Sequence, residues 1–187
     1  PYYNVNGISN DGDGGTANYD GDGFSYSAQA LAAAGLSPGA TITSGGLTYT
    51  WPTTPAGQPD AVYAGGQTIP VNTPAGASTL GFLGSATNAA TTGGFGTVTV
   101  NYTDGTSSTA TLGFSDWTLN ANQSSPSFGN VIVATTPYRN YNGGMQSVNT
   151  YIFSQTIPID SSKTVASITL PATTTNGALG IFDISAG

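Results

Sequence analysis

Gly96-Thr-Val-Thr-Val-Asn-Tyr-Thr-Asp-Gly-Thr-Ser-Ser-Thr-Ala-Thr-Leu-Gly-Phe114 decides the fold class. Val98, Val100 and Tyr102 alternate with other residues, and so do Ala110, Leu112 and Phe114. Alternation sends every second side chain to one face of a strand. Thr103-Asp104-Gly105 between the two runs is a hairpin signal. The loop length sets the register. A two-residue Asp104-Gly105 loop pairs Val100 with Thr109 and leaves the apolar sets on opposite faces. A three-residue loop with Gly105 left-handed pairs Val98 with Ala110 and Gly96 with Leu112, so both sets share a face. One buried face requires the second register.

Outward from this hairpin, the chain reads as short strands punctuated by Gly, Pro and Asn. Leu47, Tyr49 and Trp51 alternate and stop at Pro52. Strands are predicted at 79–83, 131–135, 148–157, 164–170 and 179–184. The one helix expected is 28–34, with Ser27 to cap its start and Gly35 its end. Two turns of helix are not stable alone, so it must pack on the sheets. The Gly/Thr/Ser-rich stretches 84–96 and 120–130 read as mobile loops. The expected fold is all-β, a β-sandwich or jelly roll with one short helix.

The chain has 187 residues, which suits a single module spanning 1–187. At this size roughly 70% of the unfolded surface can be buried, so no disulfide is needed, and there is no cysteine. Only 6% of residues are charged, against about 25% in an average soluble domain. The cations are Arg139 and Lys163; His and Glu are absent; the nine acids are all Asp; the net charge is -7. A basic footprint for nucleic acid or for an anionic membrane is therefore lacking. No stretch is apolar enough to span a bilayer. A surface of Thr, Ser, Asn and Gly suits an exported protein, so the expected location is extracellular or at the cell surface. The chain begins at Pro1, which reads as a piece processed or excised from a longer protein.

Catalytic readings are few. Without His or Cys, neither a Ser-His-Asp nor a Cys-His site can be built, nor a zinc site of those ligands. Lys163, in Ser161-Ser162-Lys163, reads as a turn entering a strand. Paired carboxylates can hydrolyse a glycoside, but nothing marks any two of Asp60, Asp104, Asp116, Asp160 and Asp183 as partners. The expectation is a protein that is not an enzyme.

The densest local signal is acidic. Asp11, Asp13, Asp20 and Asp22 lie within twelve residues, with Asn18 among them. Calcium takes six to eight oxygens, and glycines let carboxylates and carbonyls converge. No Glu closes an EF-hand loop. The bland reading is a solvated turn whose Asp and Asn bond their own backbone. Repulsion among four uncompensated carboxylates favours a structural calcium held by Asp11, Asp13, Asn18, Asp20 and Asp22.

Several segments resemble a known family. They are Ala17-Asn-Tyr-Asp-Gly-Asp-Gly-Phe-Ser-Tyr-Ser-Ala-Gln-Ala-Leu-Ala-Ala-Ala-Gly-Leu36, Leu47-Thr-Tyr-Thr-Trp-Pro52 and Ala56-Gly-Gln-Pro-Asp60. Gly81-Phe-Leu-Gly-Ser-Ala-Thr-Asn88, Leu112-Gly-Phe-Ser-Asp-Trp117, Ala134-Thr-Thr-Pro-Tyr-Arg-Asn140 and Lys163-Thr-Val-Ala-Ser-Ile-Thr-Leu-Pro171 complete the set. The chain resembles the galactose-binding-like β-sandwich accessory modules of secreted bacterial glycoside hydrolases and other exported hydrolases. The resemblance implies a jelly roll, a catalytic or surface domain of a parent protein as neighbour, and often a structural calcium near the N-terminal strand. The acid-rich Asp11-Gly-Asp-Gly-Gly stretch and the second Asp of Asp20-Gly-Asp22 depart from its pattern.

For a sugar ligand, exposed Trp or Tyr rings would stack the C–H faces and polar groups would bond the hydroxyls. The candidates are Trp117, Asp116, Arg139, Tyr138, Tyr141 and Trp51, with Tyr63 a further aromatic near a strand end. Each also has a packing reading: Trp51 ends an alternating strand, Trp117 follows Phe114 by three, and Arg139 can pair with Asp116. Tyr2 and Tyr3 read as linker. Asn101-Tyr-Thr and Asn122-Gln-Ser match the glycosylation pattern. The leading expectation is a non-catalytic carbohydrate-binding module with polysaccharide as partner. The alternative is a structural or adhesive surface-layer or filament domain, which predicts buried aromatics and contacts through edge strands.

Overall fold

The computed structural model describes residues 2–187. Its strands are β1 (Ile8–Ser9), β2 (Ser25–Ser27), β3 (Thr41–Ser44), β4 (Leu47–Thr50) and β5 (Val62–Tyr63). Then come β6 (Thr68–Pro70), β7 (Thr79–Thr87), β8 (Gly94–Tyr102), β9 (Ser107–Phe114) and β10 (Val131–Thr136). The last are β11 (Arg139–Tyr141), β12 (Gly144–Gln146), β13 (Thr150–Pro158), β14 (Val165–Thr169) and β15 (Ala178–Ala186). A five-stranded antiparallel sheet, in order β10-β13-β7-β15-β5, faces a four-stranded antiparallel sheet, β6-β14-β8-β9. This is a β-sandwich, as the alternating pattern predicts.

The β8–β9 hairpin takes the odd loop. Val98 pairs with Ala110 and Gly96 with Leu112. Gly105 has φ +85°, and its N–H donates to the Tyr102 carbonyl at 3.1 Å. Val98, Val100, Leu112 and Phe114 are accordingly buried on one face. They meet Leu80, Phe82, Phe153, Ile157, Leu179 and Ile181 of the larger sheet and Val165 and Ile168 of β14. On the outer face of the small sheet, Thr97, Thr99, Thr109 and Thr111 remain open or half open to solvent.

The larger sheet is covered on its other face too. There Leu83, Ile152 and Phe182 pack against Tyr19, Tyr26, Leu31, Leu47, Tyr49, Trp51 and Trp117. This second cover is built mainly from the N-terminal third, with β11 and β12 added from later in the chain: a small mixed sheet β1-β2-β11-β12, the hairpin β3–β4, and the short right-handed helix α1 (Ala28–Ala33). The Ser27 side chain accepts from the Ala30 N–H at 3.0 Å and starts α1. Its end is a Schellman arrangement, with Leu36 N–H donating to the Leu31 carbonyl at 2.8 Å and Gly35 N–H to Ala32 at 3.1 Å. No described helix is long and apolar enough to cross a membrane.

Covering both faces of the larger sheet changes how it reads in sequence. A strand with two buried faces has no reason to alternate. Thr79–Thr87 is buried at every position after the first. Stretch 84–96, expected to be a mobile loop, instead holds the second half of β7 and the start of β8. Its small residues have a packing reason: a Cβ on Gly84 would overlap the Gly180 carbonyl.

Stretch 120–130 is also ordered by bonds. Leu119 to Asn122 form one turn of left-handed helix, with φ between 50° and 64°. Four consecutive left-handed non-glycine residues are costly. The Asp116 carboxylate offsets that cost by accepting from the Ala89, Thr118 and Asn120 N–H groups, each at 3.1 Å, and the Thr118 hydroxyl at 2.8 Å.

Candidate ligand-binding cleft

The acid-rich N-terminal stretch does not form a calcium cage. Asp11 accepts from the hydroxyls of Ser27 and Tyr138 and from Asn140 Nδ2 at 3.1 Å. Burial would raise its pKa, but these three bonds outweigh burial and hold the carboxyl below its ordinary value. Asp20 faces elsewhere: it accepts from the N–H groups of Asp22 at 2.9 Å and Phe24 at 3.1 Å, and Arg139 lies 3.9 Å away. Asn18 Oδ1 accepts from the Gly23 N–H at 2.9 Å. Asp13 and Asp22 are exposed. Among the described residues no three acidic side chains gather around one point. Local backbone and side-chain bonds satisfy the Asp11 and Asp20 carboxylates instead, and the donor set does not fit a single ion of six to eight oxygens.

The expected sugar platform is also taken apart. Trp51 and Trp117 are each 2% exposed. Trp51 stacks on Phe182 with centroids 4.8 Å apart, and Trp117 lies 5.0 Å from both Tyr19 and Tyr26. Neither ring can receive a sugar face. Arg139 does not pair with Asp116, which is committed to the left-handed turn. Its guanidinium sits 3.9 Å from the Phe24 ring centroid and 5.1 Å from that of Trp117, and Nε donates to Gln146 at 2.8 Å. Burial pulls its pKa down, while Asp20 opposes that shift first among the neighbouring acids. Tyr138 is half-buried on Asp11. Of the predicted aromatic residues Tyr141 stays open, 40% exposed and edge-on to Phe24 at 5.8 Å.

Asp60 has a different role again. It is 1% exposed, and it accepts from the N–H groups of Gly7 at 2.8 Å and Ile8 at 3.1 Å. Burial without a cation pushes its pKa up to about 7. It fixes the entry of the chain into β1.

The cleft lies where β5 and β15 part from β6. It has a volume of about 420 Å³. Its floor is Val62, Ile69, Val71, Ile181 and Ile184. Its mouth carries Tyr2, Tyr3, Asn72 and Asp183. Tyr2 and Tyr3 are not linker. Asn4 accepts from the Tyr63 N–H at 2.8 Å, its own N–H donates to Ala61 at 2.9 Å, and Tyr3 reaches the Phe182 carbonyl at 3.4 Å. These bonds lay the two rings over the opening, 40% and 37% exposed. Asp183 accepts from the Thr50 N–H at 2.8 Å; burial raises its pKa, against the backbone bonds from Thr50 and Ile184. An apolar floor with a few convergent polar groups is the usual make-up of a small-ligand site.

A second depression, also about 420 Å³, lies on the outer face of the small sheet among Thr97, Thr99, Thr111 and Thr169. It has no charged group, and its one ring, Phe95, leans on Phe128 at 5.8 Å.

The linker reading of Tyr2 and Tyr3 failed because local pattern cannot show bonds to segments as distant as Ala61 and Phe182. A signal for Asp183 was present: it is the one acid inside the apolar run Leu179–Ile184.

No curated protein matches this chain. A family model of AziU2-like β-sandwich domains matches residues 2–186, nearly the whole chain, and the protein belongs to that family.

Proposed function

We propose that this β-sandwich is a non-catalytic module that binds a carbohydrate in the Tyr2–Tyr3 cleft, as an accessory part of a larger extracellular or cell-surface protein. The observation that carries the reading is the pairing of two exposed tyrosine rings with a carboxylate and an amide around one opening. Rings stack sugar C–H faces, while Asp183 and Asn72 accept and donate to hydroxyls. The absence of His, Cys and Glu supports a binding role over catalysis. The resemblance to galactose-binding-like accessory modules supports the same class of ligand. A glycan array with the intact chain tests it. Binding that is lost in a Tyr2→Ala/Tyr3→Ala variant of unchanged fold is the expected result. No glycan bound, or binding indifferent to both substitutions, overturns it.

The structural or adhesive reading has its own support. The edge strand β10 exposes Val131 by 51% and Ile132 by 43%, and Met145 on β12 is 56% exposed. Exposed apolar residues on an edge strand favour pairing with another chain. Sedimentation over a range of concentrations distinguishes the two readings: association abolished by Ile132→Lys supports adhesion.

A further inference from the structure

Among the described residues, no cationic side chain answers the charge in the cleft. The chain has two cationic side chains. Arg139 is held between Phe24 and Trp117 beside Asp20, and Lys163 lies 3.6 Å from Asp104. Neither lines the cleft. Asp183 is half-buried there, above Ile181 and Ile184, and its partners are backbone N–H groups. A carboxylate withdrawn from water without a cation is costly, and a ligand that brings the cation offsets that cost. The rings beside it act in the same direction, because the face of a tyrosine attracts a cation. A net charge of -7 steers cations toward the protein from a distance.

We propose that the cleft selects a ligand carrying a protonated primary amine on a hydroxylated ring, that is, an amino sugar with a free amine over its N-acetylated counterpart. The amine sits between Asp183 and the Tyr2 and Tyr3 rings, and the remaining hydroxyls meet Asn72 and the tyrosine hydroxyls. This rests on the reading that the cleft is the carbohydrate site.

The test is a calorimetric and NMR titration of the whole chain with glucosamine oligomers and with fully N-acetylated oligomers of equal length, at about pH 6. The expected result is at least about tenfold tighter binding of the free-amine series, with amide shifts centred on residues 2–3 and 181–184. Asp183→Asn should bring the two series level, and Tyr2→Leu, at an exposed position, should weaken the amine series more than the acetylated one. Asp13→Asn removes one equally negative but remote charge and should leave the preference intact. Equal binding of both series overturns the amine preference and leaves the carbohydrate site standing. Binding of neither series overturns both. An equal loss in Asp13→Asn and Asp183→Asn shows non-specific attraction to an acidic protein and overturns the proposal.

Discussion

The two faces of the β10-β13-β7-β15-β5 sheet are covered in different chemistry. Toward β6-β14-β8-β9 the contact is largely aliphatic and phenylalanine, with hardly a polar atom to satisfy. Toward the N-terminal layer it is aromatic and hydroxylated. Tyr19 and Tyr26 both reach the buried Ser85 hydroxyl, at 2.7 and 2.8 Å, and Tyr26 donates to the Tyr151 carbonyl at 2.6 Å. Glycines in the sheet make room: a Cβ on Gly180 would overlap the Tyr19 hydroxyl, and one on Gly81 the Tyr49 hydroxyl. The first face needs volume and alternation, which many sequences supply. The second needs particular partners at particular places, since each buried hydroxyl costs free energy unless bonded.

Substitutions can break this comparison, and the largest effect belongs to the aliphatic side. Phe114→Ala empties a fully buried ring site and should cost about 3–5 kcal/mol in urea unfolding. The N-terminal layer should show its own signature in pH. The folded protein holds the Asp60 proton up to about pH 7, against an ordinary value of 3.8. Between those values the folded state binds more protons than the unfolded chain, so stability is highest below the window and falls as pH rises through it. The fall should amount to a few kcal/mol at most, and Asp60→Asn should flatten it. Asp183, also raised, adds in the same direction, whereas Asp11, lowered, acts only at more acid pH. A urea midpoint series from about pH 4 to about pH 8 reads this, and a rising profile refutes it.

Two smaller changes sharpen the contrast. Gly180→Ala should cost about 1–3 kcal/mol through overpacking against Tyr19; a tolerated alanine there would mean that the aromatic layer is loosely seated. At the small end lies Tyr49→Phe. The Tyr49 hydroxyl is buried without a hydrogen-bond partner, so its removal should change stability by less than about 0.5 kcal/mol or raise it. A loss above about 1 kcal/mol would reveal a partner for that hydroxyl.

The sandwich face was legible because a sheet with one wet side must alternate. That rule found the β8–β9 register, and the cap residues Ser27 and Gly35 found α1. The same rule failed along the second half of β7, where both sides are dry and Gly84-Ser-Ala-Thr87 reads as loop. Short strands such as β1, β2 and β5 are two or three residues long. They exist through pairing with distant segments, and no local pattern marks them.

The candidate site divides in the same way. Composition alone excluded His and Cys as participants and any abundance of cations, because those depend on which residues exist. Proximity in the chain suggested a calcium loop, yet Asp11 bonds to Tyr138 and Asp20 lies beside Arg139, more than a hundred residues away. Of the two readings open to each tryptophan, stacking on a ligand and packing, both take the packing one, while Tyr2 and Tyr3 looked like linker and line the cleft. The sequence by itself determined the class of fold, its hairpin register, its helix and its charge, all set by local pattern and by count. Only the tertiary structure decided which rings face water and which carboxylates are withdrawn from it without a cation, because burial and pairing depend on contacts between residues far apart in the chain.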